Sequence, residues 1–298
     1  MSILLQENTK VLIQGMTGKE GQKAARAMIE YGTSVLCGVT PGKGGQEVET
    51  KPVFNSVKEA FAQFPEISVS VIYVPPFAAK AAVLEAIEAG VALINIFVER
   101  MPIQDTAYCL AAARERNIRI LGPSSLGCMV PGVARIGVIG GPKQQADQIF
   151  QSGSVGIISR SGGMTNELSW QIRNAGMGQS TAVHVGGDLL VGTTYADLLR
   201  LFEKDDQTKA VIIFGEHGGS YEFEIVELIE RGEFTKPLAM YIGGKFANSL
   251  PEGVNIGHAG AIVERGKGAR EKEQALSRVG VMIAERYEDL ATCIQTYV

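Results

Sequence analysis

Cysteine is scarce in this 298-residue chain: Cys37, Cys109, Cys128 and Cys293 are scattered, with no CxxC pair. Such spacing makes neither a disulfide framework nor a zinc site, so no metal site is expected in the chain itself. It points to a reducing, cytoplasmic setting, or to a mitochondrial matrix had a transit peptide been removed. A basic excess is also missing. With 28 Lys+Arg against 32 Asp+Glu and a net charge of −4, the chain offers no general surface for nucleic acid or an anionic membrane. No apolar run reaches the ~20 residues of a membrane span. The opening Met1-Ser2-Ile3-Leu4-Leu5 turns polar at once and has no basic n-region, so it does not read as a signal peptide.

What is present describes an ordinary globular protein. Hydrophobic residues make up 45% and charged residues 20%, enough for a sizeable core. The length suits two domains of about 150 residues. The 36 glycines fall mostly after apolar runs, where strands turn into ligand-binding loops.

In the first half, the apolar strand 10–14 is followed by Gly15-Met-Thr17-Gly18-Lys19-Glu20-Gly21 and then a helix over 22–31. Strand, glycine loop and helix start together aim backbone N–H groups and a helix dipole at a phosphate. A tight βα turn with no ligand has the same composition. The spacing is GxxGxxG, not the GxGxxG of dinucleotide folds. The second strand, 34–39, ends in Thr40-Pro41-Gly42-Lys43-Gly44-Gly45, where a dinucleotide site would want an acidic residue for the ribose. A lysine on a flexible loop suits a phosphate-bearing nucleotide such as the ADP portion of coenzyme A. It equally fits a solvated loop with a surface lysine. Further strands are expected at 69–74, 91–98 and 118–121, with helices at 77–89 and 105–116 between them. That alternation predicts a parallel, doubly wound sheet whose ligands sit at the C-terminal strand ends. Those ends are Gly15 to Gly21, Thr40 to Lys43, Val74-Pro75-Pro76 and Phe97-Val98-Glu99.

Residues 124–151 show poor periodicity and several Gly-Pro turns, so they read as the crossing between domains 1–123 and 152–298. No secondary structure is assigned to them. A second strand–loop–helix unit follows: strand 154–158, loop Ser159-Arg160-Ser161-Gly162-Gly163, and helix 164–174 with Glu167 in its first turn. Two hydroxyls, a guanidinium and flexible backbone at a helix start suit a phosphate or carboxylate. A Ser-capped helix start accounts for each of these residues singly and poorly for all five. Strands at 181–185, 210–214, 237–242 and 282–284, with helices at 195–204, 223–231 and 269–278, extend this half into a parallel, flavodoxin-like α/β domain.

Of the three histidines, His258 alone stands among small residues, Gly257-His258-Ala259-Gly260-Ala261. Room for a large group at an imidazole nitrogen fits a nucleophile that carries a transferred group, and it also fits a glycine-rich turn. Glu216, at the end of strand 210–214, could accept from one ring nitrogen and leave the other neutral and nucleophilic. A phosphate there could rest on the helix start at Ser159 to Gly163. His184, inside a strand, and His217, beside Glu216, read as packed residues.

These motifs, from Gln14-Gly-Met-Thr-Gly18-Lys-Glu-Gly21 and Gly38-Val-Thr-Pro-Gly-Lys-Gly-Gly45 through Ser159-Arg-Ser-Gly162, Gly186-Gly-Asp188, Gly215-Glu216 and Gly218-Gly219 to Gly257-His-Ala-Gly-Ala261, resemble the α subunit of succinyl-CoA synthetase essentially end to end. The resemblance implies a Rossmann-like CoA-binding domain, with Gly15, Thr17, Gly18, Lys19, Glu20, Gly21, Lys43, Val74, Pro75, Phe97, Val98 and Glu99 at coenzyme A. It implies a ligase domain in which His258 is phosphorylated, Glu216 assists, and Ser159, Arg160, Ser161, Gly162 and Gly163 hold phosphate or substrate. It further implies a β subunit with an ATP-grasp fold that binds Mg²⁺ and ATP or GTP. The overall reaction would join a small carboxylate, succinate, to CoA through an acyl phosphate.

Ser161-Gly162-Gly163-Met164-Thr-Asn-Glu-Leu168 departs from the Ser-Gly-Thr of succinate enzymes and looks like ATP-citrate lyase and citryl-CoA synthetase. Arg231-Gly-Glu-Phe-Thr-Lys-Pro237 leans the same way, and Pro251-Glu-Gly-Val-Asn-Ile256 lacks a Lys-Arg pair before the histidine. Citrate is therefore the alternative substrate, since glycine for threonine opens volume for a larger acid. Val98, Ser125 and Leu126 also depart from the family pattern, which raises a CoA-binding module without catalysis as a second class. An NAD dehydrogenase is opposed by Lys43 and the glycine spacing.

Overall fold

The chain builds two seven-stranded sheets in the computed structural model, which describes residues 3–298. Met1 and Ser2 of the opening run lie outside the described residues.

The first sheet grows around β1 (Lys10–Gln14), whose apolar residues are buried on both faces. Val11 and Ile13 join one layer with Ala24, Ala25 and Met28 of α1 (Lys19–Tyr31), and Leu12 joins the other with Val83 and Ala86 of α3 (Ala79–Ala89). Alternating side chains that are apolar on both faces are what a helix-covered parallel sheet requires. The remaining strands are β2 (Ser34–Val39), β3 (Glu47–Val48), β4 (Lys51–Phe54), β5 (Val69–Ile72), β6 (Leu93–Ile96) and β7 (Arg119–Leu121), with α2 (Val57–Gln63) and α4 (Ile103–Glu115) among the connections. Their order is β3-β4-β2-β1-β5-β6-β7, parallel except for the β3–β4 pair. The winding reverses between β1 and β5, which opens a crevice above their C-terminal ends.

The second sheet contains β8 (Gly127–Val130), β9 (Ala134–Gly137), β10 (Ser152–Ser159), β11 (Gln179–His184), β12 (Ala210–Gly215), β13 (Leu238–Ile242) and β14 (Met282–Ile283). Its order is β14-β13-β12-β10-β11-β8-β9. The five parallel strands run β11-β10-β12-β13-β14, the flavodoxin-like winding, with the reversal between β10 and β12. The helices are α5 (Lys143–Ile149), α6 (Gly162–Asn174), α7 (Tyr195–Glu203), α8 (Tyr221–Glu230), α9 (Ala269–Arg278) and α10 (Leu290–Ile294).

The stretch read as a structureless crossing is ordered. β8 and β9 form an antiparallel hairpin that pairs with β11 and extends the second sheet, and α5 follows. Glycine and proline turns surround these two strands and β9 carries Arg135, so no apolar run marks them as one marks the equally short β5 and β6. The N-cap of α6 is Ser161, so Gly162 and Gly163 belong to its first turn and Glu167 to its second. The terminal helix α10 was not expected either.

Arg135 of β9 fastens the two sheets together. It is fully buried, and its guanidinium donates to the carbonyls of Ala27 in α1 and of Ile139 and Gly141. Among the described residues no helix is long and apolar enough to cross a membrane.

Candidate active site

The β1/β5 crevice is a cavity of about 610 Å³. Gly15, Thr17, Gly18, Thr40, Val74 and Pro75 line it, as the strand-end reading expected, joined by Tyr73 and Glu85, which that reading did not single out. Gly15 has φ +79°, and a Cβ there would stand 2.5 Å from the Tyr73 carbonyl oxygen. Backbone therefore passes directly over the end of β5, and only glycine fits. The Thr17 hydroxyl donates to Thr40 at 3.2 Å and ties the loop to β2. A roomy crevice floored by backbone and opened by glycines fits an extended nucleotide such as coenzyme A.

Other expected contacts lie elsewhere. Lys19 and Glu20 are exposed in the first turn of α1, and Lys43 is exposed on its loop. Gly21 packs against the Gly15–Met16 backbone, where a Cβ would come within 2.9 Å of Met16 Cα. Phe97 stacks on Tyr73 with ring centroids 4.6 Å apart, and Val98 is buried. Glu99 lines a different cavity, beside His258.

At the second reversal, the loops after β10, β12 and β13 converge on His258. Its Nδ1 lies 2.5 Å from Oε1 of Glu216, and the Glu216 side chain is largely buried while the imidazole is not. The Glu216 hydrogen bond raises the imidazole pKa above its ordinary value, while burial and the nearby Arg160 guanidinium work against that rise. With the proton held on Nδ1, Nε2 keeps its lone pair. Gly187 leaves room for the ring, since a Cβ there would come within 2.9 Å of His258 Cδ2.

Two cavities flank the imidazole. One, of about 310 Å³, is bounded by Ser161 and Met164 at the start of α6, by Glu216 and by Phe246. The other, of about 410 Å³, is bounded by Glu99, Arg100 and Ser124 from the first half and by Asp188. The Asp188 carboxylate accepts from the Arg100 N–H at 3.3 Å and so joins the halves at this cavity; burial pushes its pKa up. His258 thus stands where a group could face either side.

Arg160 does not stand free at the helix start. It is buried, donates to the carbonyls of Gly186 at 3.2 Å and Asp188 at 2.5 Å, and its Nε is 3.9 Å from Oε2 of Glu216. Ser159 is buried too and closes a turn on the Ser161 backbone, while the Ser161 hydroxyl caps Met164 N–H at 3.4 Å. What α6 leaves open are first-turn N–H groups with no intrahelical partner. A Cβ on Gly162 would strike Leu126, whereas one on Gly163 would meet nothing within 4 Å.

The other histidines are structural. His184 Nδ1 accepts from Leu126 N–H and its Nε2 donates to the Arg160 carbonyl, both at 2.7 Å, and burial lowers its pKa to about 4. His217 is buried and accepts from Ala269 N–H at 3.3 Å; burial first and Lys272 second lower its pKa.

Residues 6–100 match the family described as CoA binding domain, and residues 158–282 match CoA-ligase. The chain is 44% identical to the succinate–CoA ligase [ADP-forming] subunit alpha of Aquifex aeolicus (strain VF5), over 96% of this chain and 91% of that one. It belongs to the succinate–CoA ligase α-subunit family.

Within that CoA-ligase family, it is also 41% identical to the ADP-forming sulfoacetate-CoA ligase subunit SqwL of an Acholeplasma species, over 96% of this chain and 95% of the other. Among solved structures, ATP citrate lyase from Methanothrix soehngenii, in complex with citrate and coenzyme A, superposes with a TM-score of 0.92 at 25% identity. That match covers 99% of this chain but 50% of the lyase chain, so the present chain spans half of the lyase's length. The chain is accordingly a CoA-binding subunit of the CoA-ligase family, and relatives named as alpha subunits imply a second, beta subunit.

Proposed function

We propose that this subunit forms succinyl-CoA from succinate, CoA and a nucleoside triphosphate by carrying a phosphoryl group on Nε2 of His258. The observation that supports this most directly is the 2.5 Å contact of His258 Nδ1 with Glu216, in a histidine that bounds one cavity together with Ser161 and Met164 at the start of α6. The nucleotide's γ-phosphoryl passes to Nε2, with the nucleoside diphosphate leaving. Glu216 stabilises the imidazole as it becomes more positive, and α6 N–H groups balance the phosphoryl charge. The phosphoryl then moves to a carboxylate oxygen of the acid, restoring neutral His258. The CoA thiolate attacks the acyl carbon, and inorganic phosphate leaves as the thioester forms.

The β1/β5 crevice is assigned to coenzyme A, with Gly15, Thr17 and Gly18 at its phosphates. The β subunit is assigned an ATP-grasp fold holding ATP or GTP. Among the described residues no three His, Cys, Asp or Glu side chains cluster to hold a metal ion. Mg²⁺ is assigned, with the nucleotide, to the partner, and no step here is routed through it. Four free cysteines support a reducing, cytoplasmic setting.

Citrate is a second reading, favoured by the open space beside Gly163. Incubating the purified two-subunit enzyme with γ-³²P-ATP and resolving the subunits tests the common chemistry. Acid-labile, base-stable label on this chain is expected, and undiminished labelling of His258→Asn would overturn it. Turnover with each acid separates the two substrate readings.

A further inference from the structure

Glu216 holds His258, and a buried ion pair in turn holds Glu216. The Glu216 N–H donates to Oε1 of Glu222 at 3.1 Å, and the Glu216 carbonyl accepts from Nζ of Lys272 at 2.7 Å. Lys272 is fully buried and Glu222 nearly so, and Nζ lies 2.5 Å from Oε2 of Glu222. The third ammonium donor goes to the Gly218 carbonyl. An ammonium has three donors, and all three are engaged here. Both carboxylate oxygens are engaged as well.

Removing two charges from water is costly, and an apolar pair of similar volume often fills such a place without loss of stability. Tethering α8 to α9 therefore does not by itself call for charges. What these charges do that apolar groups cannot is bond the backbone on both sides of Glu216. Their origins in the chain fit that purpose. Glu222 lies in the first turn of α8, just after the turn that carries Glu216, and Lys272 lies in α9, the helix that follows the His258 loop. The Gly218 N–H also donates to the Lys267 carbonyl at 3.2 Å, within the same junction.

We propose that Lys272 and Glu222 are positioning residues for phosphoryl transfer, a buried clamp that fixes the Glu216 backbone and thereby seats its carboxylate on Nδ1 of His258. The proposal rests on the reading of His258 as the phosphoryl carrier. Neither residue touches the imidazole; both act through Glu216. A displacement of about 1 Å at a catalytic group can lower a rate roughly 100-fold, so such a clamp has a measurable effect.

The test is the double replacement Lys272→Met with Glu222→Leu, which removes both charges together and leaves neither unpaired. Two readouts are needed: the titration of the His258 ring nitrogens by ¹⁵N NMR in the full chain, and the initial rate of His258 phosphorylation with the β subunit and ATP. Besides Glu216, Arg160 and Glu99 act on that imidazole, and both are left in place. A folded variant is expected to show the His258 midpoint falling toward ~6.5 and the rate falling about 10- to 100-fold. A folded variant with both within two-fold of the parent would show the pair to be only structural. Should the double variant not fold, Glu222→Gln, which keeps an acceptor but removes the charge, is read against the same two outcomes. If the parent takes up no label, the phosphoryl-carrier reading fails, while the titration still decides whether the clamp seats Glu216.

Discussion

Nδ1 of His258 lies 2.5 Å from Oε1 of Glu216, a residue 42 positions earlier in the chain. The same carboxylate has its second oxygen 3.9 Å from Nε of the buried Arg160. The carboxylate thus sits between an imidazole it makes more basic and a guanidinium that limits the effect.

This arrangement fixes the sign of a pH dependence. In the proposed mechanism neutral His258 is the nucleophile, and Glu216 raises the pKa of the imidazole. Phosphorylation should therefore rise with pH through a midpoint above ~6.5 and level off beyond it. Glu216→Gln should lower that midpoint and slow the plateau rate about 100-fold, in rapid-quench labelling from pH 5.5 to 8.5. An unmoved midpoint would mean that Glu216 does not set the imidazole's basicity. For stability the sign runs the other way. A raised folded-state pKa stabilises the fold below the unfolded value, and that contribution is lost as pH rises through the folded one.

The crevice assigned to coenzyme A depends on Gly15. Alanine there would meet the Tyr73 carbonyl at 2.5 Å and hold φ +79°, a conformation that costs an L-residue about 1–2 kcal/mol. Gly15→Ala should weaken CoA binding at least ten-fold by calorimetry while the β subunit still phosphorylates His258. Loss of both together would show that the first domain had unfolded.

Arg135 links the first sheet's α1 to the second sheet's edge through carbonyls of Ala27, Ile139 and Gly141. Burial lowers its pKa, yet its donors are engaged and Tyr31 lies under it, 5.4 Å from the guanidinium carbon to the ring centroid. Arg135→Met would leave buried carbonyls without donors and should cost about 3 kcal/mol. Chemical denaturation would measure this as a lower midpoint. An unchanged midpoint would place the coupling of the two halves in their other contacts, among them Thr33 with the Arg135 backbone and Asp188 with the Arg100 N–H.

Much of the fold was legible because its strands are long apolar runs closed by glycine. The bounds of β1, β2 and α9 match the sequence reading residue for residue. β8 and β9 escaped it because Gly-Pro turns break up the stretch and Arg135 interrupts the apolar pattern of β9. The site was half legible. A histidine among glycines and a carboxylate at a strand end are local signals, and the fold brought them together. Lys272 gave none, since Ala-Arg-Glu-Lys-Glu-Gln reads as a solvated helix face. The facing Glu222, 50 residues away, together with the Glu216 and Gly218 carbonyls, makes its burial tolerable. Arg160 looked like a free anion donor, but its partners are carbonyls on a strand end that sequence spacing does not reveal.

The proposed choice between succinate and citrate can be tested at the first turn of α6. Gly163 is exposed there, a Cβ would meet nothing within 4 Å, and its φ is not positive. Gly163→Thr should therefore fold as well as the parent, since most residues have better helix propensity than glycine. Ser161 and Met164, on either side of Gly163, bound the cavity beside His258 while Gly163 itself does not, so the added hydroxyl and methyl test whether the open space at Gly163 reaches the bound acid. A four-carbon diacid needs less of that space than a branched tricarboxylate. The variant should accordingly keep kcat/KM for succinate within about three-fold and lower any activity on citrate about ten-fold or more, the scale on which one extra group in a pocket discriminates. Sulfoacetate, shorter by one methylene than succinate but with a bulkier tetrahedral sulfonate in place of one carboxylate, serves as the third acid. If all three acids fall in parallel, Gly163 supports the phosphoryl group and not the choice of acid, and the determinant must be sought on the β subunit.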